Sequence, residues 1–232
     1  MHIPTATALL SLLSLTTAFP ARPSTPDLSR LALPPSALLP PDSSLALKYV
    51  TLGVGTQNYT CSPSATAPTP FGAVADLYDV SPLFTSFIGP AATKWLPGLA
   101  LSFATTGRLH DLPSAVGSAV TPIGRHFFDG TPGVAATVPI FDLSGAAVPV
   151  RAVVKKGGNV PAPEGACPGP EDRGAVDWLR LVGDWETGND GRVSVVYRVE
   201  TAGGVAPETC EGIGAEGVQV QYATEYWFYG PK

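Results

Sequence analysis

Between Val218 and Tyr229 the side chains alternate. Val218, Val220, Tyr222, Tyr226 and Phe228 fall on one face of an extended chain, and Gln219, Gln221, Glu225 and Trp227 on the other. A period of two sends successive side chains to opposite sides of a pleated strand, so this run is a β-strand with one face turned to a core. The rhythm recurs upstream. Val193, Val195, Tyr197 and Val199 alternate with Ser194, Arg198 and Glu200, which reads as a half-buried strand. Asp177 to Val182 is another, and Gly188-Asn189-Asp190-Gly191 between the two is hairpin chemistry. Leu45, Leu47, Tyr49 and Thr51 open a strand predicted to turn at Gly53 or Gly55 into a second one ending at Cys61. Further strands are expected at Arg125 to Asp129, Ala136 to Phe141 and Val150 to Val154, and Ala73 to Phe87 admits a short helix or strand broken near Pro82.

Turn-forming residues separate these runs. The chain has 25 Gly, 25 Pro and only 14% charged residues, a mix of turns and apolar strands rather than of charged helices. The expectation is a mainly β protein, an antiparallel β-sandwich or barrel-like single domain with long Pro/Gly-rich loops, over residues 45–232. Residues 19–44 read as a Pro-rich N-terminal arm. Residues 1–18 read as a signal peptide, because Ala8 to Leu15 is apolar, too short to span a bilayer, and followed by small residues up to Ala18. The mature chain is therefore expected to be secreted and extracellular. A net charge of −5 and a single pair of adjacent bases, Lys155-Lys156, leave no electrostatic footprint for nucleic acid or anionic membrane. A monomer is expected.

Residues 53 to 61, Gly-Val-Gly-Thr-Gln-Asn-Tyr-Thr-Cys, carry three further signals. Gly53-x-Gly55 imitates a dinucleotide fingerprint, but Asn58 stands where the third glycine belongs and Tyr-Thr-Cys-Ser-Pro cannot start the helix that holds a pyrophosphate. No cofactor is expected. Asn58-Tyr59-Thr60 is a complete N-glycosylation sequon, meaningful only in an exported chain. Cys61, Cys167 and Cys210 allow three pairings in an oxidising compartment. Cys61–Cys210 is favoured, since each closes a strand-like run whereas Cys167 lies in a proline-rich loop. Closing so long a loop stabilises by about 4 to 5 kcal/mol in the chain-entropy picture.

Chemistry-bearing residues are scattered rather than arranged in a known motif. His126 lies in an aromatic strand, and with Asp129, Asp142 and Glu225 it forms the candidate pocket set. A hydrolase would use His126 as a base beside one of those carboxylates. His110, Asp111 and His126 lack the spacing of a metal site, and Asp184, Glu186, Asn189 and Asp190 do not follow a calcium-loop order, so no metal is expected. Trp95, Trp178, Trp185 and Trp227 would stack sugars if exposed, although aromatics that alternate in strands belong more often to a core.

The segments Val196 to Pro207, Tyr222 to Tyr229, Gly53 to Cys61, Gly124 to Phe128 and Val176 to Leu179 together resemble a family of secreted fungal proteins, with bacterial relatives, of uncharacterised function. Some members carry an automatic malate dehydrogenase label. The resemblance implies a predominantly β secreted domain and transfers no catalytic residue. The function expected from sequence is binding of a small molecule or glycan, for instance at a host surface. The alternative is the extracellular hydrolase, and an NAD-dependent malate dehydrogenase is the remotest reading.

Overall fold

The computed structural model describes residues 26–62, 64–87, 89–118, 120–129, 138–214 and 216–232. The signal-peptide segment and the residues Ala136 and Thr137 lie outside them. Eight strands, β1 (Leu45–Thr60), β2 (Thr69–Asp79), β3 (Thr121–Asp129), β4 (Val138–Leu143), β5 (Val150–Val160), β6 (Trp178–Gly183), β7 (Val195–Gly203) and β8 (Val218–Pro231), run in sequence order around a closed antiparallel barrel. β8 pairs back onto β1 from Tyr59↔Val218 to Leu45↔Pro231, so no edge is left unpaired. The mainly β, antiparallel, single-domain expectation holds in its barrel form.

Alternation divides the core in two. Inward residues of the barrel, among them Tyr49, Leu77, Phe141, Val154, Leu181, Val196, Tyr226 and Phe228, fill its interior. Outward residues of β1, β7 and β8, including Val50, Leu52, Tyr197, Val199 and Trp227, are covered by a helix layer and by the N-terminal arm. That layer holds α1 (Ser81–Phe84), α2 (Gly89–Thr105) and α3 (Leu112–Val116). The sequence reading lacks α2. Its Ala92, Leu96, Ala100 and Leu101 keep a helical spacing and are buried, but Gly89, Pro97 and Gly98 interrupt the stretch with breaker residues. In the arm, Leu28 and Leu38 are buried and the Tyr197 hydroxyl donates to the Leu39 carbonyl at 2.7 Å.

Two local expectations are corrected. Gly53 and Gly55 make no hairpin turn; they lie within the single sixteen-residue strand β1. The reason is room. A Cβ on Gly53 would come within 2.6 Å of the Tyr226 ring, and one on Gly55 within 1.9 Å of the Val74 carbonyl oxygen, so only glycine lets the chain pass there. Strand β7 is not half-buried with Arg198 facing solvent. Val195, Val196, Tyr197, Arg198 and Val199 are all buried, because α2 covers one face and the barrel encloses the other.

Cys61 and Cys210 form a disulfide with Cα atoms 5.8 Å apart, joining the end of β1 to the loop before β8. Cys167 is a free, exposed thiol. Among the described residues no helix is long and apolar enough to cross a membrane. The outward faces of β2 to β5 carry Asp76, Arg125, Asp142, Arg151 and Lys155, with Arg125 and Asp76 paired at 3.3 Å in solvent.

Candidate functional site at the barrel mouth

One end of the barrel is plugged and the other is hollow. At the plugged end Phe141 meets Phe228 and Tyr226 edge-on, at centroid separations of 5.4 and 4.9 Å. Aromatic pairs in this geometry add to the burial that closes the floor. Above them a cavity of about 560 Å³ opens at the other end. Apolar groups form much of its wall, including Phe128, Pro139, Val176, Leu179 and Leu181. Its polar lining comes from Gln57, Tyr59, His126, Lys156, Asp177, Arg198 and Tyr226. Pockets of this size and character hold small organic molecules.

His126 forms part of the floor. Its ring stacks on Phe141 at 4.1 Å with the planes 10° apart, and it is 4% exposed. Its Nδ1 lies 2.9 Å from the Ile140 carbonyl oxygen. A carbonyl can only accept, so Nδ1 carries the proton and Nε2 keeps a lone pair. Burial lowers the pKa of His126 to about 4, the Ile140 bond acts against that shift, and the nearby Arg198 charge reinforces it. The ring is therefore neutral near pH 7 and offers an acceptor nitrogen.

Arg198 is 9% exposed and comes from the inward face of β7 opposite Tyr226. Its Nε and one Nη donate to a single backbone acceptor, the Asp177 carbonyl, at 3.1 and 2.8 Å. No carboxylate pairs with it among the described residues. Its positive field reaches Tyr59, Tyr222, Tyr226 and His126, which places it at the centre of the polar groups. Tyr222 and Tyr226 share a hydrogen bond at 3.0 Å, and burial raises the pKa of both phenols. The Tyr59 hydroxyl donates to the Gly204 carbonyl at 2.6 Å. Gln57 is also 9% exposed; its Nε2 makes no hydrogen bond, although it lies close enough to Tyr222 to favour a phenolate there. At the rim, the Asp177 carboxylate accepts from Asn159 Nδ2 at 2.7 Å.

The sequence set His126, Asp129, Asp142 and Glu225 is not brought together. His126 faces the cavity, whereas Asp129 and Asp142 sit one residue out of phase with Phe128 and Phe141 and so face outward. Glu225 lies between the inward Tyr226 and Thr224 on the opposite face of β8, under the helix layer. There it accepts from Trp227 Nε1 at 2.9 Å while its Oε1 has no partner. Burial raises its pKa well above the carboxylate range, the Trp227 bond opposes this, and the Glu200 charge adds to it. Gln57, Arg198, Tyr222 and Tyr226 were not singled out from the sequence. The alternation of β8 puts Tyr222 and Tyr226 on one shared face without saying that it is the inner one; Arg198 reads as solvent-facing because nothing in its strand announces a second cover. Asn58, with Oδ1 accepting from Thr56 at 3.0 Å, lies on the outer face of β1, on the opposite side from Gln57 and Tyr59.

A dinucleotide loop has no place here, since Gly53 and Gly55 lie inside a strand and not at a strand-to-helix turn. Residues 41–230 match the family described as protein of unknown function, DUF3455. The chain belongs to that family. No curated protein and no solved structure matches it. For this DUF3455 protein the barrel mouth is the principal candidate site.

Proposed function

We propose that the protein is a secreted binding protein that takes a small, partly apolar molecule into the open mouth of the barrel. The observation that carries the reading is the hollow end itself: a cavity of about 560 Å³ whose wall mixes apolar side chains with buried polar groups, one of them, Gln57 Nε2, without a partner. Arg198 is a charged group kept nearly dry beside that cavity with no carboxylate to pair it among the described residues, so a fold that retains it is served by a ligand that does. Two features support an extracellular setting. The Cys61–Cys210 disulfide suits an oxidising compartment, and the Asn58 side chain stands on the outer face where a glycan has room. Binding rather than hydrolysis is favoured because burial lowers the pKa of His126 to about 4, which makes it a weak base near pH 7, and no carboxylate pairs with it among the described residues.

Titration with uncharged N-phenylnaphthylamine, followed by its fluorescence, tests the reading. One saturable site is expected, together with its loss in Leu179→Trp, which fills the mouth. Absence of saturable binding, or equal binding by the filled variant, would overturn it.

A further inference from the structure

We propose that the ligand of the mouth is a monoanionic acid, a carboxylate or sulfonate on an apolar body, with its oxyanion seated on Arg198 and the Gln57 amide. This rests on the binding reading above and adds the ligand's chemical class. The guanidinium offers five N–H donors in a planar fork; two of its nitrogens donate to one neutral carbonyl and the Tyr226 phenol is a further neutral neighbour, so no anion meets it. A cation this enclosed and without a counter-charge is costly to keep dry, and an oxyanion offers an ion pair and a bidentate fork that the neutral Asp177 carbonyl cannot. Gln57 also lines the cavity; its Nε2 is unpartnered but sealed beneath the surface beside Tyr222, and joins the oxyanion when the side chain turns on binding.

Charge count argues for a single negative charge. Arg198 and Lys156 line the cavity as cations and Asp177 as an anion, which leaves one net positive charge to be met. A dianionic phosphate would exceed it. The remaining lining decides the rest of the molecule: Phe128, Leu179, Leu181 and the ring of Tyr226 offer apolar contact and no further cation. His126 refines the orientation. With Nδ1–H held by Ile140, its Nε2 can only accept, so an oxyanion is repelled from the floor and directed to the Arg198 side, while a ligand hydroxyl or amine is accepted there.

The test pairs two probes with the same ring system, anilinonaphthalene sulfonate and N-phenylnaphthylamine, on the wild type and on Arg198→Met and Gln57→Leu. Arg198→Met should weaken the sulfonate at least about tenfold and leave the uncharged probe within about threefold, with a smaller loss of the sulfonate in Gln57→Leu. Competition on the wild type gives a readout independent of any variant's folding: a straight-chain carboxylic acid should displace the sulfonate and the alcohol of equal length should not. Equal displacement by acid and alcohol, or equal loss of both probes in Arg198→Met, overturns the oxyanion assignment while the binding reading stands. Failure of the wild type to bind either probe at the mouth overturns both.

Discussion

The two faces of β8 bury polar groups in opposite ways. On the outer face Glu225 and Trp227 are sealed beneath the helix layer, with Trp227 Nε1 donating to one carboxyl oxygen and the other left alone. On the inner face Tyr226 and Tyr222 share a hydrogen bond, and Tyr226 borders the mouth cavity together with Arg198, His126 and Gln57. Glu225 and Tyr226 are buried to nearly the same degree, at 0% and 1% exposure. Burial therefore does not distinguish a sealed polar group from one that borders a cavity. What distinguishes them is whether space adjoins the group. Glu225 is sealed under the helix layer, where burial raises its pKa and so favours its uncharged form, whereas Arg198 cannot lose its proton and instead adjoins open volume.

The largest expected effect lies on the sealed face. Trp227→Ala empties a site between β8 and the helices, and should lower the unfolding free energy by about 3 to 5 kcal/mol in denaturant titration. Tyr222→Phe on the other face removes only one hydroxyl and should cost about 1 kcal/mol. Similar losses from both changes would break the comparison.

His126 brings the next effect, and it depends on pH. Its folded pKa of about 4 lies below the ordinary 6.5, so on acidification the unfolded chain takes up the proton first. The His126 contribution to stability should fall as pH drops from 6.5 toward 4, by on the order of 3 kcal/mol at the acid end. His126→Phe keeps the stack on Phe141 and removes this loss. Parallel stability-versus-pH curves for variant and wild type across that window would refute it.

Glu225 should act with the opposite sign. Its folded pKa is raised above 4.5, so as pH rises past 4.5 the unfolded chain loses a proton that the folded chain retains, and stability declines. Glu225→Gln keeps an acceptor for Trp227 and should raise the melting temperature at neutral pH, the gain vanishing toward pH 4. A gain that persists undiminished at pH 4 would show that packing and not protonation is responsible. Together the two residues, one on each face of the barrel wall, predict maximal stability at mildly acidic pH.

Much of the barrel was legible in the chain because period-two alternation is local. Val218 to Tyr229 announces an alternating strand with two distinct faces, the strands near Arg125, Val150 and Asp177 lie where expected, and Cys61 with Cys210 is the favoured pairing. The site was legible only in His126. Arg198 was assigned outward, since a strand with one apolar face ordinarily shows its other face to water. That assumption fails when a sheet closes on itself.

By itself, the sequence determined most of the strands and the strong preference for a mainly β antiparallel fold, consequences of side-chain spacing and of glycine and proline along a few residues. Tertiary structure alone decided which face of β7 and β8 became the barrel interior, that Gly53 and Gly55 would make room for Tyr226 and a neighbouring strand rather than a turn, and that Arg198, Gln57 and His126 would meet around one cavity. The physical reason is closure. Pairing β8 with β1, residues far apart in the chain, creates an inside that no local pattern contains, and α2 then covers part of the outside.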